Sequence, residues 1–182
     1  MPVSANPVAS TIPSRPYRVL YLAEQRLGCF IEAVARFRVP LAVLKDVGAV
    51  AVPSGGVPAS WRTSRCLGQV RLAPGQRFLD LRRLETTELL WVEPAPLLHH
   101  LAFADIDVSG VRGPGRTLTR VISRWAHERE FQGIACRSRF DDAFDCWAIF
   151  EGAAFQRVGI SEPILRDDPD LLAAAGQFGL AV

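Results

Sequence analysis

The chain has 182 residues, of which 49% are hydrophobic and 22% are charged. This composition predicts one folded domain with a sizeable core and excludes a disordered chain. The formal net charge of +2 is too small to indicate nucleic-acid binding. No stretch reaches the roughly 20 apolar residues that a membrane span needs, and the N-terminus lacks the apolar segment of a signal peptide. We therefore expect a cytoplasmic protein.

The four cysteines do not form a metal-binding pattern. They include no C-x-x-C pair, and no histidine lies at metal-ligand spacing from them. We interpret all four as reduced and mostly buried, because free cysteine packs as a small core residue. The sequence therefore predicts neither a metal nor a bound cofactor.

The first half of the chain begins with residues 1–16, whose four prolines predict a flexible lead-in to a domain spanning 17–182. A strand is predicted at 18–23 and a helix at 24–38, since apolar residues recur there at helical spacing. The elements predicted next are a short helix at 58–65, strands at 67–72 and 77–81 on either side of a turn, helices at 84–92 and 96–103, and a loop at 105–115.

The second half contains a stronger amphipathic pattern. Apolar residues from Leu118 to Ala126 predict a helix with a buried stripe. Strands are predicted at 133–137 and 145–150 around a polar loop, and a helix follows 167–169 and ends at Gly176. Strands and helices without regular βαβ alternation predict an α+β domain with mixed or antiparallel strands and flanking helices.

Three polar residues are candidate site residues because of their positions in the predicted elements. Glu32 lies off the apolar stripe of its helix, beside the small residues Gly28 and Ala35, so it faces either a cleft or solvent. Tyr21, near the end of the preceding strand, either approaches the same cleft or packs in the core. Ser138 follows a strand and either binds a ligand or caps the loop. It lacks a G-x-S-x-G context and a visible base, so a nucleophilic role is not expected.

The other polar groups favour structural roles. Asp141, Asp142 and Asp145 do not have the spacing of an EF-hand, and we interpret them as a solvated loop. Trp125 is predicted in the core, and His127 is predicted to be structural.

Several short motifs occur together in a recognisable order. The first pairs Val19-Leu-Tyr21-Leu-Ala with Phe30-Ile-Glu32, eleven residues from tyrosine to glutamate. The others are Gly133-Ile-Ala-x-x-Ser138 and Asp145-Cys-Trp-Ala-Ile-Phe150. In content and order they resemble the RES domain over about residues 17–155.

This resemblance implies a fold like that of ADP-ribosyltransferases and an NAD-consuming toxin of a bacterial toxin–antitoxin pair. Such a toxin cleaves the nicotinamide–ribose bond with water or phosphate as acceptor, so NAD is a substrate, and an Xre-like antitoxin neutralises it. Glu32 is then the catalytic carboxylate, while Tyr21 and Ser138 contact NAD. A homodimer or a hetero-oligomer is expected.

The arginine of the family usually lies well upstream of the tyrosine, in a context that residues 1–20 do not contain. Arg15 and Arg18 are the candidates to replace it in substrate binding. The departure leaves an alternative, in which the chain is a non-catalytic module of the same fold that binds a nucleotide or an antitoxin partner.

Overall fold

A mixed four-stranded sheet organises the molecule. The computed structural model describes residues 17–39, 55–93 and 116–182. In spatial order, the strands are β1 (Val19–Ala23), β5 (Asp145–Phe150), β4 (Gly133–Arg137) and β3 (Phe78–Asp80). Strand β5 is antiparallel to both of its neighbours, whereas β3 and β4 are parallel.

A smaller antiparallel sheet pairs β2 (Cys66–Leu72) with β6 (Phe155–Pro163). A register shift between Leu67 and Gln69 interrupts this ladder. Most residues of the two strands are exposed or half-buried, so this ribbon contributes less to the core than the larger sheet does.

Five α-helices accompany the two sheets within the described residues. The helix at Arg116–Glu128 buries the stripe that its sequence predicts, because apolar residues three and four positions apart share one helical face. The helices are α1 (Arg26–Val34), which continues as a 3-10 turn at Ala35–Phe37, α2 (Ala59–Thr63), α3 (Leu84–Val92), α4 (Arg116–Glu128) and α5 (Pro169–Gln177).

The buried apolar residues form two clusters. In the first, Ile122 and Trp125 of α4 pack with Leu79, Ile134 and Phe150 of the sheet. In the second, α1 packs against α5, and α2 and the segments that flank α5 contribute further buried side chains. The larger members of the second cluster are Phe30, Ile31, Val34, Trp61, Ile164 and Leu171.

An ion pair joins the starts of α1 and α5. Asp168 caps α5, since its carboxylate accepts hydrogen bonds from the N–H groups of Asp170 and Leu171. The guanidinium of Arg26 donates to both oxygens of Asp168, at 2.8 and 2.5 Å. It also holds the pKa of the Asp168 carboxyl below its usual range. This link fixes one end of α1.

These elements form a single α+β domain, as the sequence predicts. The strands at 133–137 and 145–150 and the helix at 84–92 are confirmed with the predicted bounds. The strands on either side of the 73–76 turn belong to different sheets, because β2 pairs with β6 and β3 with β4. Strand β6 was not predicted. The lead-in at 1–16, the helix at 96–103 and the loop at 105–115 lie outside the described residues.

The cysteines are free, as predicted, but their expected burial is wrong. Cys66 is exposed, while Cys29, Cys136 and Cys146 are half-buried. No helix within 17–39, 55–93 and 116–182 is long and apolar enough to cross a membrane.

Candidate functional site

A hydroxyl–carboxylate pair lies where α1 meets the end of β4. Glu32 is on the last turn of α1, and Ser138 follows the last residue of β4. The Ser138 hydroxyl donates a 2.6 Å hydrogen bond to Oε1 of Glu32. Ser138 is only 1% exposed, whereas Glu32 is exposed to solvent. The pair therefore consists of a solvent-exposed carboxylate that is hydrogen-bonded to a buried hydroxyl.

Two backbone hydrogen bonds hold Ser138 in place. Its N–H donates to the carbonyl of Phe144 at 2.8 Å. Its Oγ accepts the N–H of Phe140 at 3.1 Å, which directs the hydroxyl proton toward Glu32. Ser138 thus orients the carboxylate and also closes the loop, which is the structural role that the sequence left open for it; its contact with a ligand stays a prediction.

Gly28 allows α1 to approach the sheet closely. A Cβ at this position would lie 3.2 Å from the Phe144 side chain and 3.3 Å from Cβ of Ala23. The sequence suggested that small neighbours leave Glu32 a cleft, but the space beside Gly28 is filled by Phe144. The glycine therefore brings α1, and Glu32 with it, to the loop that carries Ser138.

A thiol flanks the same carboxylate. Sγ of Cys146, on β5, lies 4.0 Å from Oε1 of Glu32. Burial raises the pKa of the Cys146 thiol to about 12, with a further contribution from the charge of Glu32. Cys146 is therefore a neutral thiol at pH 7 and acts as a weak donor toward Glu32.

Tyr21 lies on the same face of the sheet as the pair but at a different position along the strands. Ala23, Cys146 and Cys136 are register partners, and direct partners share a face. Tyr21 precedes Ala23 by two residues and Ser138 follows Cys136 by two, so about 13 Å separates them along the strands. Tyr21 is 67% exposed. Among the three predicted residues, the structure brings Glu32 and Ser138 together and leaves Tyr21 apart, on a surface that the pair shares.

The arginine candidates are not part of this pair. Arg18 lies beyond the opposite end of β1, where its Nε is 3.2 Å from Oε1 of Glu151 and its side chain is 91% exposed. Its predicted role in binding gains no support from this position. Arg15 lies outside the described residues.

Arg82 was missed by the sequence reasoning. Its guanidinium donates to Asp80 at 2.7 and 2.8 Å and to Asp145 at 2.6 Å. It also lies over the ring of Trp147 and holds the pKa of Asp80 below its usual range. Asp145 alternates with Cys146 along β5, so this cluster lies on the other face of the sheet. Nothing in the spacing of the sequence indicates this partner, since Arg82 and Asp145 are 63 positions apart.

The predicted solvated acidic loop is therefore wrong in part. Asp145 begins β5 and is bonded to Arg82, and its carbonyl accepts the N–H of Glu24 at 2.9 Å. Asp141 accepts the N–H of Ala143 at 2.9 Å and so shapes the turn. Within the part of the chain that the structure describes, no group of three or more histidine, cysteine or acidic side chains is arranged to hold a metal ion.

The fold and the pair define an α+β domain with a carboxylate site at the ends of β4 and α1. The chain belongs to the RES domain family, since residues 4–171 match its family model. Membership suggests a function related to toxin–antitoxin systems and to NAD, and an association with antitoxin partners. Neither the curated proteins nor the solved structures give a significant match to this chain.

Proposed function

We propose that this protein cleaves the nicotinamide–ribose bond of NAD and acts as the toxin of a toxin–antitoxin pair. The observation that carries the proposal is the Ser138–Glu32 hydrogen bond in a chain of the RES family. It supplies an oriented, solvent-accessible carboxylate beside a surface that bears an exposed tyrosine. An ADP-ribosyltransferase-like arrangement of the domain belongs to the same proposal.

The reaction needs a carboxylate for a physical reason. The C–N bond breaks with its electron pair going to nicotinamide, whose ring nitrogen loses its positive charge, and the ribose becomes oxocarbenium-like. Water then adds to give ADP-ribose and a proton, or phosphate adds to give ADP-ribose 1″-phosphate. A negative charge held near the ribose stabilises the cation that develops. Glu32 has this role in the proposal.

Ser138 and Tyr21 do not react with the substrate in this proposal. Ser138 fixes the carboxylate, so less reorganisation is needed when the ribose cation develops. The exposed ring of Tyr21 offers a face on which a flat base or nicotinamide can stack. The separation of about 13 Å between Tyr21 and Ser138 along the strands suits an extended ligand that spans from the Tyr21 ring to the carboxylate that Ser138 holds.

The test is release of nicotinamide from NAD, followed with and without phosphate. Glu32→Gln keeps the size of the side chain and removes its charge, so we expect the rate to fall at least about 100-fold. The matched control is Glu128→Gln, an exposed carboxylate paired with Arg124 on α4. Unchanged release in Glu32→Gln would refute the role of Glu32. No release by the wild type, with the fold intact, would refute the activity.

The alternative is a non-catalytic module that binds a nucleotide or an Xre-like antitoxin. It is favoured by the position of Arg18, which pairs with Glu151 rather than with the site. Calorimetry with the antitoxin and with NAD separates the two functions. Tight binding of either molecule by a protein that releases no nicotinamide supports the module, whereas release that the antitoxin suppresses supports the toxin.

A further inference from the structure

Two arginines converge on one aromatic ring beside the pair. The guanidinium carbon of Arg38 lies 4.6 Å from the ring centre of Phe140, and that of Arg139 lies 4.5 Å from it. Arg38 follows the 3-10 turn after α1, and Arg139 follows Ser138. The two segments that carry the hydroxyl–carboxylate pair thus also carry this pair of cations.

The position of this ring and of Arg38 is fixed by several contacts. The N–H of Phe140 donates to Oγ of Ser138, and its ring packs edge-on against Phe178. Nε of Arg38 donates to the carbonyl of Ala35 at 3.0 Å, and its guanidinium also lies over Phe178, at 5.1 Å. Nε and the ring contacts therefore orient the guanidinium, while its terminal N–H groups remain able to donate.

Neither charge is neutralised within the described residues. Arg26 and Arg82 each pair with at least two carboxylates, but Arg38 and Arg139 form no ion pair with a described carboxylate. In the same loop, the carboxylate of Asp141 bonds the N–H of Ala143. Two cations that lie within 4.6 Å of the centre of one ring repel each other, and a divalent anion relieves that repulsion.

We propose that Arg38 and Arg139 form a diphosphate subsite next to Glu32. Arginine binds phosphate oxygens through paired N–H donors, and both guanidinium groups lie within 4.6 Å of the centre of the Phe140 ring. The site as a whole then has a carboxylate for a cationic group and a cation pair for an anionic group. This polarity matches a dinucleotide with a positively charged base and a central pyrophosphate, so the inference rests on the proposed function and names the part of the substrate that is held.

The test uses calorimetry with ADP, inorganic pyrophosphate and adenosine, none of which has a bond to nicotinamide. We expect the wild type to bind ADP and pyrophosphate more tightly than adenosine. Arg38→Gln and Arg139→Gln should each weaken ADP binding about tenfold or more, because each removes hydrogen bonds to a charged group. Adenosine binding should not change.

Arg77→Gln is the matched control. Arg77 also lies over an aromatic ring, that of Phe131, at 4.7 Å. Its carbonyl accepts the N–H of Gln132, which places it about 20 Å from Ser138 along β4. Its loss should leave ADP binding unchanged. Equal weakening by all three variants indicates general charge attraction and overturns the subsite, as does wild-type ADP binding in Arg38→Gln and Arg139→Gln.

The outcomes also separate this inference from the proposed function. If ADP binding depends on Arg38 and Arg139 but NAD is not cleaved, the subsite stands and the proposed activity fails. If NAD is cleaved and the KM for NAD is the same in both variants as in the wild type, the activity stands and the subsite fails. Thermal unfolding of each variant shows that the fold is intact.

Discussion

The hydroxyl of Ser138 and the carboxylate of Glu32 meet at 2.6 Å, although 106 positions separate them in the chain. Ser138 lies directly after strand β4, and Glu32 lies on the last turn of helix α1. Because Ser138 is buried and Glu32 is exposed, the hydrogen bond restrains the carboxylate without covering it.

Ser138→Ala should lower both stability and activity. The change removes the donor to Glu32 and the acceptor of the Phe140 N–H, and we expect the free energy of unfolding to fall by about 1–2 kcal/mol. Ser123→Ala is a suitable control. It removes a hydroxyl that forms a 2.8 Å hydrogen bond with Tyr17, and this contact does not involve Glu32 or Ser138. Denaturant unfolding and nicotinamide release measure the two effects. Equal loss of release in both variants would contradict a specific role for Ser138.

Asp168→Asn should reduce stability at neutral pH but much less in acid. Asparagine still caps a helix, but it cannot pair with Arg26, so we expect a loss of about 2 kcal/mol at pH 7. The pKa of Asp168 is lower in the folded state. Its stabilising effect is therefore complete above about pH 4, the usual value for aspartate, and is lost as the pH falls through the lowered pKa.

Unfolding in urea at pH 7 and at pH 3 tests this prediction about Asp168. The difference in unfolding free energy between the wild type and the variant should shrink at the lower pH. A difference that is the same at both values would mean that the ion pair with Arg26 does not stabilise the fold.

Arg82→Gln should destabilise the sheet. It leaves Asp80 and Asp145, both about a quarter exposed, without their shared cation, and we expect a loss of about 2 kcal/mol at pH 7. The neighbouring Arg83 forms an ion pair with Glu85 on the surface, where both side chains are mostly exposed. Arg83→Gln should therefore cost under about 0.5 kcal/mol, and denaturant unfolding of both variants makes the comparison.

Cys146 should react slowly with iodoacetamide in the folded protein. Its pKa of about 12 leaves almost no thiolate at pH 8, whereas Cys66 is exposed. Mass spectrometry of partly alkylated protein should show Cys66 modified first. Glu32→Gln removes a negative charge that helps to raise this pKa, so alkylation of Cys146 should become faster while the rate at Cys66 stays the same. An unchanged rate at Cys146 would show that the Glu32 carboxylate does not influence the thiol.

Much of the local structure followed from the sequence, because periodicity reports which face of an element is buried. The stripe on α4 and the apolar runs of β4 and β5 are strong patterns of this kind. Strand β6 lacks one, since most of its residues are exposed on both faces of a two-stranded ribbon. The pairing of β2 with β6 is also long-range. The two strands are not joined by a short hairpin turn, so no local turn sequence predicts that they pair.

The candidate site was predictable only in part. The sequence indicates Glu32 by its position off the apolar stripe of its helix, Ser138 by its position after a strand, and both by family motifs, and the structure joins them. The Arg82 cluster and the contact between Cys146 and Glu32 arise from tertiary packing, which spacing in the chain does not encode. Gly28 was noticed as small, but only the structure shows that Phe144 occupies the space beside it.

The register of β1 has a consequence for synthesis on the ribosome. The described partner of β1 in the sheet is β5, and their ladder extends to Phe150. When β1 and Glu32 have left the ribosome, more than a hundred further residues must therefore be translated before Ser138 and β5 emerge. Non-local pairing of this kind forms late, so a nascent chain lacks the assembled site until most of it has been translated.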